Sequence, residues 1–335
     1  MPRPVVLVTR PEYRRGEPVF ASSHDLECVA APEDEPGLIE AIRRTGSRHL
    51  VIGSGRYGED LYATLPRGAV LARYGVGHDS VDKARATEAG VLCTNTPDVL
   101  HQSVAELTMT MIGAAARHVV PVAGATAQGS WAPRQGVELY GKTLALIGCG
   151  AIGRAVARIA VAGFGMRVAG YVRAGSPSRD DVVGDAHVER VDSDFAAVVG
   201  NADFVSLHIP GHPENVRFID RDRLALMPPR AWLINTARGA VVDEAALFDA
   251  LSQGRIAGAA LDVFEREPYQ PVDPARDLRT LPNVLLLPHV GSNTLEANCR
   301  MAERALRNVR LAVAGDVAGM DLINRAVLTG NPSTP

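Results

Sequence analysis

The sequence predicts an α/β protein in which parallel strands are joined by helices, and three observations carry that expectation. Short apolar runs rich in Val, Leu and Ile alternate with longer amphipathic segments, the pattern of strands buried on both faces of a parallel sheet. The runs fall into two groups, separated by a long segment of helical character. A chain of 335 residues, 46% hydrophobic and 22% charged, has material for more than one core, and its length suggests two domains.

The first group of expected strands comprises VVLVTR (5–10), LVIG (50–53), AVLARYG (69–75) and VLCTNT (91–96). The second comprises TLALIG (143–148), RVAGYV (167–172), FVSLHI (204–209), AWLINTA (231–237), GAALDVF (258–264) and VLLLPH (284–289). Between them, residues 101–125 read as mostly helical, with Ser103 as the expected cap, and 127–142 as a polar, glycine-rich connecting loop. Residues 298–315 carry apolar side chains at helical spacing with no strand after them. That helix is expected to pack back across the molecule, and 328–335 to form a loose tail.

A formal net charge of −3 gives no electrostatic reason to expect nucleic acid or an anionic membrane as partner. The four cysteines, Cys28, Cys93, Cys149 and Cys299, show no CxxC spacing, which argues against a disulfide framework or a zinc site and fits a reducing cytoplasm. The N-terminal apolar run is too short for a secretory signal, and no stretch approaches the roughly 18 apolar residues of a membrane span. The expected location is cytoplasmic.

The most specific local signal is the strand 143–148 running into Gly148, Gly150 and Gly153, then into a helix with Ile152, Val156, Ile159 and Ala160 on its apolar positions. The first glycine permits a tight turn, the second admits a pyrophosphate to the backbone, and the third brings helix and strand close. The helix N-terminus then faces the phosphates. This predicts a dinucleotide site. About twenty residues further on, such sites carry an acid that accepts hydrogen bonds from the adenosine ribose. Here Val172 and Arg173 stand instead. With no acid to repel a 2′ phosphate and a guanidinium able to grip it, the expected cofactor is NADP(H) over NAD(H), with Ser176, Ser178 and Arg179 as further donors.

Three later segments each place a polar group at the end of an apolar strand: Arg238, Glu267 and His289. Carboxyl ends of parallel strands share one edge, where ligands of open α/β sheets gather. A guanidinium to grip a carboxylate, an imidazole to move a proton and a carboxylate to orient it form a coherent set. Taken singly, Arg238 reads as a surface salt bridge, His289 as a structural histidine, Glu267 as a solvated charge and Asp262 as a cap. His208 and His212 have a metal-like spacing, but Pro210 and Gly211 break the helix such a pair would need, so no metal is expected.

On these residues the chain resembles the D-isomer-specific 2-hydroxyacid dehydrogenase family, glyoxylate/hydroxypyruvate reductase-like members included. The matches are RYGVGHDSVD (73–82), GVLCTNTPDVLHQSVAELT (90–108), GKTLALIGCGAIGRAVA (141–157), LINTARGAVVDEAAL (233–247), ALDVFEREP (260–268) and LLPHVGS (286–292). The resemblance implies two Rossmann-like, doubly wound parallel-sheet domains with an interdomain cleft. Residues 1–98 plus 294–335 would form a discontinuous substrate-binding domain, and 99–293 the dinucleotide-binding domain. It implies Arg238 as the substrate-gripping arginine, Glu267 as the orienting acid and His289 as the proton donor. Glu267 is preferred to Glu265 because the family's acid lies five residues beyond the strand-end aspartate, here Asp262. The backbone amides of Val76 and Gly77 are implied for the substrate carboxylate. Around the cofactor the resemblance implies Ala151 and Ile152 at the pyrophosphate, Ile209 and Pro210 along the adenosine, and Thr236 and Ala237 near the nicotinamide ribose. Asp262 and Val104 belong at the nicotinamide end, with Arg238, His289 and Gly291 adjoining.

The implied reaction is reduction of a small 2-oxo acid to the D-2-hydroxy acid, within a homodimer paired through the cofactor domain, the segment 101–142 supplying the contact. Glu267 disfavours the formate dehydrogenases, and Val76, where phosphite dehydrogenases have lysine, disfavours those. The absence of an effector domain after residue 320 disfavours the longer phosphoglycerate dehydrogenases. His78 and Tyr74 are candidates for side-chain specificity. The alternative is an NAD(H)-sensing, corepressor-like binding protein on the same scaffold.

Overall fold

The computed structural model describes residues 2–176, 179–185 and 187–329. Ser178 and the last six residues of the expected tail lie outside them. The chain divides into two compact units, Met1–Leu100 with Ser292–Pro335, and His101–Gly291.

In the first unit, strands β1 (Val5–Thr9), β2 (Glu27–Ala31), β3 (His49–Ile52), β4 (Val70–Arg73) and β5 (Leu92–Thr94) form a parallel sheet in the order β2-β1-β3-β4-β5. Leu7, Leu50, Ile52, Leu71 and Cys93 are buried with Leu38, Leu61 and Tyr62 from the covering helices. The C-terminal helix, Leu295–Val313, begins at Thr294, whose side chain accepts from the Ala297 amide. It belongs to this unit, where the Tyr74 hydroxyl donates to the Asn298 carbonyl at 2.6 Å and Arg300 Nε to the Val99 carbonyl at 2.8 Å.

In the second unit, β6 (Thr143–Ile147), β7 (Arg167–Tyr171), β8 (Arg190–Asp192), β9 (Phe204–Leu207), β10 (Trp232–Asn235), β11 (Gly258–Leu261) and β12 (Val284–Leu286) form a parallel sheet ordered β12-β11-β10-β9-β6-β7-β8. The chain winds outward from β6 to β8, then returns beside β6 and winds the other way. Two cores result, one on each face: Ile147, Val205, Leu207 and Leu233 pack with the helix Glu244–Ser252, and Leu144, Leu146, Phe204 and Ile234 with the helices His101–Ala116 and Ala151–Phe164. Both units are therefore α/β with parallel sheets, as the sequence predicts.

Two strands escaped the sequence reading, β2 and β8. Both are sheet edges, half exposed, and lack a continuous apolar run. One expectation fails locally: Ser103 does not cap its helix but lies buried inside it, two residues past the start at His101. Its neighbours Val104 and Ala105 are also buried, while Gln102 is exposed, so Ser103 sits on the covered side of the first turn and the helix boundary falls before it.

Candidate active site

Because all seven strands of the second unit are parallel, their carboxyl ends share one edge, and the strand order reverses between β6 and β9. A ligand of an open α/β sheet binds at such a reversal. The glycine turn follows β6. Gly148 has φ +96°, and a Cβ there would fall 2.7 Å from the His208 carbonyl oxygen at the end of β9. A Cβ at Gly153 would fall 2.4 Å from the Gly148 carbonyl oxygen, so only glycine lets helix and strand approach. Gly150, by contrast, would meet nothing within 4 Å, and it starts the helix Ala151–Phe164 without a side-chain cap. The helix N-terminus therefore opens onto free space with its amide donors uncapped by a side chain, which fits a pyrophosphate. Ala151 is exposed and Ile152 half-buried at this turn.

Beyond β7, Val172 is buried in the core, so what it can offer a ligand is backbone. Arg173 is exposed and pairs with Glu214, in the short turn Pro213–Asn215 beyond β9. The Ser176 amide donates to the Arg173 carbonyl at 3.1 Å and the Arg179 amide to the Ser176 carbonyl at 3.1 Å. Ile209 is half-buried and Pro210 exposed, the Pro210 carbonyl accepting from Asn215 Nδ2 at 2.9 Å. His208 and His212 serve different neighbours. His208 Nε2 lies 2.9 Å from Ser206 Oγ, and burial pushes its pKa down to about 4, so it is neutral. His212 is exposed and 3.8 Å from Glu214. Among the described residues no group of three His, Cys, Asp or Glu could hold a metal ion.

The end of β10 is organised by Asn235, which accepts from the Ala237 amide at 3.0 Å and donates to the Arg238 carbonyl at 3.0 Å. The Thr236 hydroxyl is 2.9 Å from that of Thr108 on the helix His101–Ala116. Arg238 is half-buried and its Nη1 donates to the Ala237 carbonyl at 2.6 Å. Gly239 touches the chain after β11: a Cβ there would lie 1.8 Å from the Phe264 carbonyl carbon. That approach brings the Arg238 turn against the segment that carries Glu267.

Asp262, fully buried at the end of β11, accepts from the Val290 and Gly291 amides, each at 2.8 Å. Burial raises its pKa above the ordinary carboxyl range while the two amides oppose the rise. Val104, buried on the helix His101–Ala116, lies beside Gly291. Asp262 thus anchors the turn after β12, where His289 sits with φ +55°. A non-glycine residue pays about 1–2 kcal/mol for that left-handed backbone. The conformation is held by the two amides that follow it.

His289 Nδ1 lies 2.6 Å from Glu267 Oε2, while Glu267 Oε1 accepts from the Phe264 amide at 3.0 Å. Burial pushes the Glu267 carboxyl up, but the His289 hydrogen bond and charge, the Phe264 amide and Arg238 outweigh it, leaving its pKa below the ordinary range. An ionised carboxylate only accepts, so Nδ1 carries a proton and Nε2 is left to face a ligand. Glu265 turns elsewhere, accepting from the Glu244 amide at 3.1 Å with Arg217 at 3.8 Å. Arg238, Glu267 and His289 thus come from neighbouring strand ends of one sheet. Sequence reasoning missed Asn235, Thr108 and Glu214. Asn235, inside LINTARG, and Thr108, at the end of GVLCTNTPDVLHQSVAELT, sat in segments already singled out, whereas Glu214 did not.

In the first unit, Val76 and Gly77 follow β4 and are half-buried. The Val76 carbonyl accepts from Asn95 Nδ2 at 2.7 Å and the Gly75 carbonyl from the Thr96 amide at 3.0 Å, which fixes the loop to the end of β5. Tyr74 is buried and His78 half-buried.

A histidine held against a carboxylate, on the sheet edge that bears a glycine turn open to a pyrophosphate, is an arrangement compatible with the hydride and proton chemistry of nicotinamide-dependent oxidoreductases. Residues 109–291 match the NAD binding domain of the D-isomer specific 2-hydroxyacid dehydrogenases. The chain belongs to that family and is an NAD(P)-dependent 2-hydroxyacid dehydrogenase. It is 36% identical to the glyoxylate reductase of Thermococcus litoralis, across 98% of this chain and 99% of the relative. It is 38% identical to the D-3-phosphoglycerate dehydrogenase of Methanocaldococcus jannaschii, across 93% of this chain but 58% of that longer relative. Among solved structures, the NADPH-dependent glyoxylate/hydroxypyruvate reductase of Sinorhizobium meliloti, in complex with NADP and malonate, superposes with a TM-score of 0.76 at 30% identity, covering 93% of this chain and 94% of that one.

Proposed function

We propose that this protein reduces a small 2-oxo acid of the glyoxylate or hydroxypyruvate type to the D-2-hydroxy acid, with NADPH as the preferred cofactor. The observation that carries the reading is the His289–Glu267 contact of 2.6 Å beside the Arg238 turn. Arg238 grips the substrate carboxylate in two parallel hydrogen bonds, and the Val76 and Gly77 amides are the second contact proposed for it. His289 Nε2 gives its proton to the keto oxygen as charge develops there, and Glu267 stabilises the imidazolium by opposite charge. In the oxidation direction neutral His289 takes the proton back. When bound, the nicotinamide supplies the hydride.

The residues proposed for the dinucleotide are Gly148, Gly150, Ala151, Ile152 and Gly153 at the pyrophosphate, with Val172, Arg173, Ile209 and Pro210 toward the adenosine. Thr236, Ala237, Asp262, Gly291 and Val104 take the nicotinamide end. Arg173 in place of an acid supports the NADP(H) preference, as does the NADPH dependence of the Sinorhizobium relative. The substrates of the glyoxylate reductase relatives support the substrate class.

A homodimer is proposed through the second unit. The apolar helix Val119–Ala127 has no buried residue, and Trp131 just beyond it is 91% exposed. Sedimentation velocity checks this, a monomer at micromolar concentration being the contrary result. The four free thiols support a reducing cytoplasm as the compartment. Among the described residues no helix is long and apolar enough to cross a membrane.

The deciding experiment is turnover across a panel of 2-oxo acids, run in parallel with NADPH and NADH. Fastest kcat/KM with glyoxylate or hydroxypyruvate and NADPH is expected. A preference for NADH overturns the cofactor reading, and tight dinucleotide binding with no turnover on any acid points to a sensing role instead.

A further inference from the structure

Arg173 does not stand alone at the end of β7. β6 pairs with β7 on one side and β9 on the other, so the segments after β7 and β9 flank the glycine turn. Arg173 reaches from one flank to Glu214 on the other, 41 residues later in the chain. Glu214 is held in place by its neighbour Asn215, which is buried, donates its amide to the His212 carbonyl at 2.8 Å and its Nδ2 to the Pro210 carbonyl at 2.9 Å. His212 Nδ1 approaches the same Glu214 oxygen at 3.8 Å. A carboxylate therefore does meet the Arg173 guanidinium, delivered by a different segment.

We infer that Glu214 is a specificity-determining residue for the dinucleotide: it competes with a 2′ phosphate for the Arg173 guanidinium and so holds the NADP(H) preference below what Arg173 alone would confer. The inference rests on the proposed role of Arg173 toward that phosphate. A dinucleotide without the phosphate leaves the Arg173–Glu214 pair intact and pays nothing. One with it must first break the pair, whose side chains are 58% and 50% exposed. An exposed pair of this kind is worth about two- to fivefold in an equilibrium constant, and less in high salt.

The test is calorimetric binding of NADP+ and NAD+ to the intact protein and to the Glu214→Gln, Arg173→Ala and double variants at low salt. Both side chains are largely exposed, so melting temperatures close to that of the parent are expected. Glu214→Gln is expected to tighten NADP+ about threefold while NAD+ stays within about 1.5-fold. In the Arg173→Ala background the same substitution is expected to do nothing. No change in the ratio of the two dissociation constants, equal tightening of both dinucleotides, or a gain that persists without Arg173 each overturn the inference. If Arg173→Ala by itself leaves NADP+ binding unchanged, the cofactor reading beneath it fails first; if Arg173→Ala weakens NADP+ but Glu214→Gln is silent, only the role of Glu214 falls.

Discussion

Asp262 holds His289 through the backbone that follows it: its two carboxylate oxygens take the Val290 and Gly291 amides at 2.8 Å each, and the histidine sits in the strained residue just before them. The position of the imidazole is set from one strand end, and its tautomer is set by Glu267, five residues further along that segment.

Replacing His289 tests the proton donor. Asn is the informative substitution because it tolerates the left-handed backbone at this position. His289→Asn should lower kcat by about 10²–10⁴. Dinucleotide affinity measured by fluorescence quenching should stay near that of the parent, and retained turnover removes His289 from the chemistry.

Glu267→Gln keeps the shape but removes the charge that stabilises the imidazolium. Turnover should fall by about tenfold or more, less than for His289→Asn, with KM for the oxo acid changed little. Equal losses for the two variants would show that Glu267 does more than assist the histidine.

Arg238→Lys keeps the charge and loses the planar fork. KM for 2-oxo acids should rise by about tenfold or more, since each tenfold is about 1.4 kcal/mol and a charged hydrogen bond is worth that much. Steady-state kinetics across the substrate panel reads it, and an unchanged KM would sink the assignment.

Two glycines in the second unit should respond in opposite directions. Gly239→Ala forces a Cβ to 1.8 Å from the Phe264 carbonyl carbon, so backbone must move and stability should drop by about 3 kcal/mol, with turnover falling as the Arg238 and Glu267 segments separate. Gly163→Ala, in the helix Ala151–Phe164 with nothing within 4 Å, should stabilise by about 0.5–1 kcal/mol. Urea unfolding midpoints compare the two.

Glu244 should make stability depend on pH. Burial pushes its pKa from 4.5 up to about 7, the Glu265 amide opposing the rise and the Glu265 charge adding to it. Its Oε1 accepts from the Glu265 amide at 2.6 Å, and Oε2 has no hydrogen-bond partner among the described residues. A carboxyl raised on folding keeps its proton longer in the native state. Stability is therefore highest below the unfolded pKa and declines as pH rises through the folded one. Between pH 5 and 8 the loss should reach up to about 3 kcal/mol, and Glu244→Gln should flatten the difference between urea midpoints at the two pH values. An equal slope in parent and variant would rule Glu244 out as its source.

Much of this protein could be read one residue at a time. Central strands such as β6 and β10 carry continuous apolar runs, Leu144–Ile147 and Trp232–Ile234, because both faces are covered, so they stand out in the sequence. Edge strands β2 and β8 do not, since half-exposed positions tolerate Glu27, Arg190 and Asp192. The choice of Glu267 over Glu265 came from family spacing; the geometry separates them by direction, one toward His289 and the other toward Glu244 and Arg217.

What the sequence by itself determined were the features written in backbone demands and strand periodicity. These are the α/β class, the glycine turn with its open helix end, and the polar residues that end β10, β11 and β12. Only the tertiary structure decided the pairings of side chains that no local pattern encodes. Asp262 turned out to anchor the His289 turn. Arg173, read from the sequence as a cation without its acid, met Glu214 from beyond β9. Exposed charges far apart in the chain carry no periodicity, and only the winding of β7 and β9 to either side of β6 brings them together.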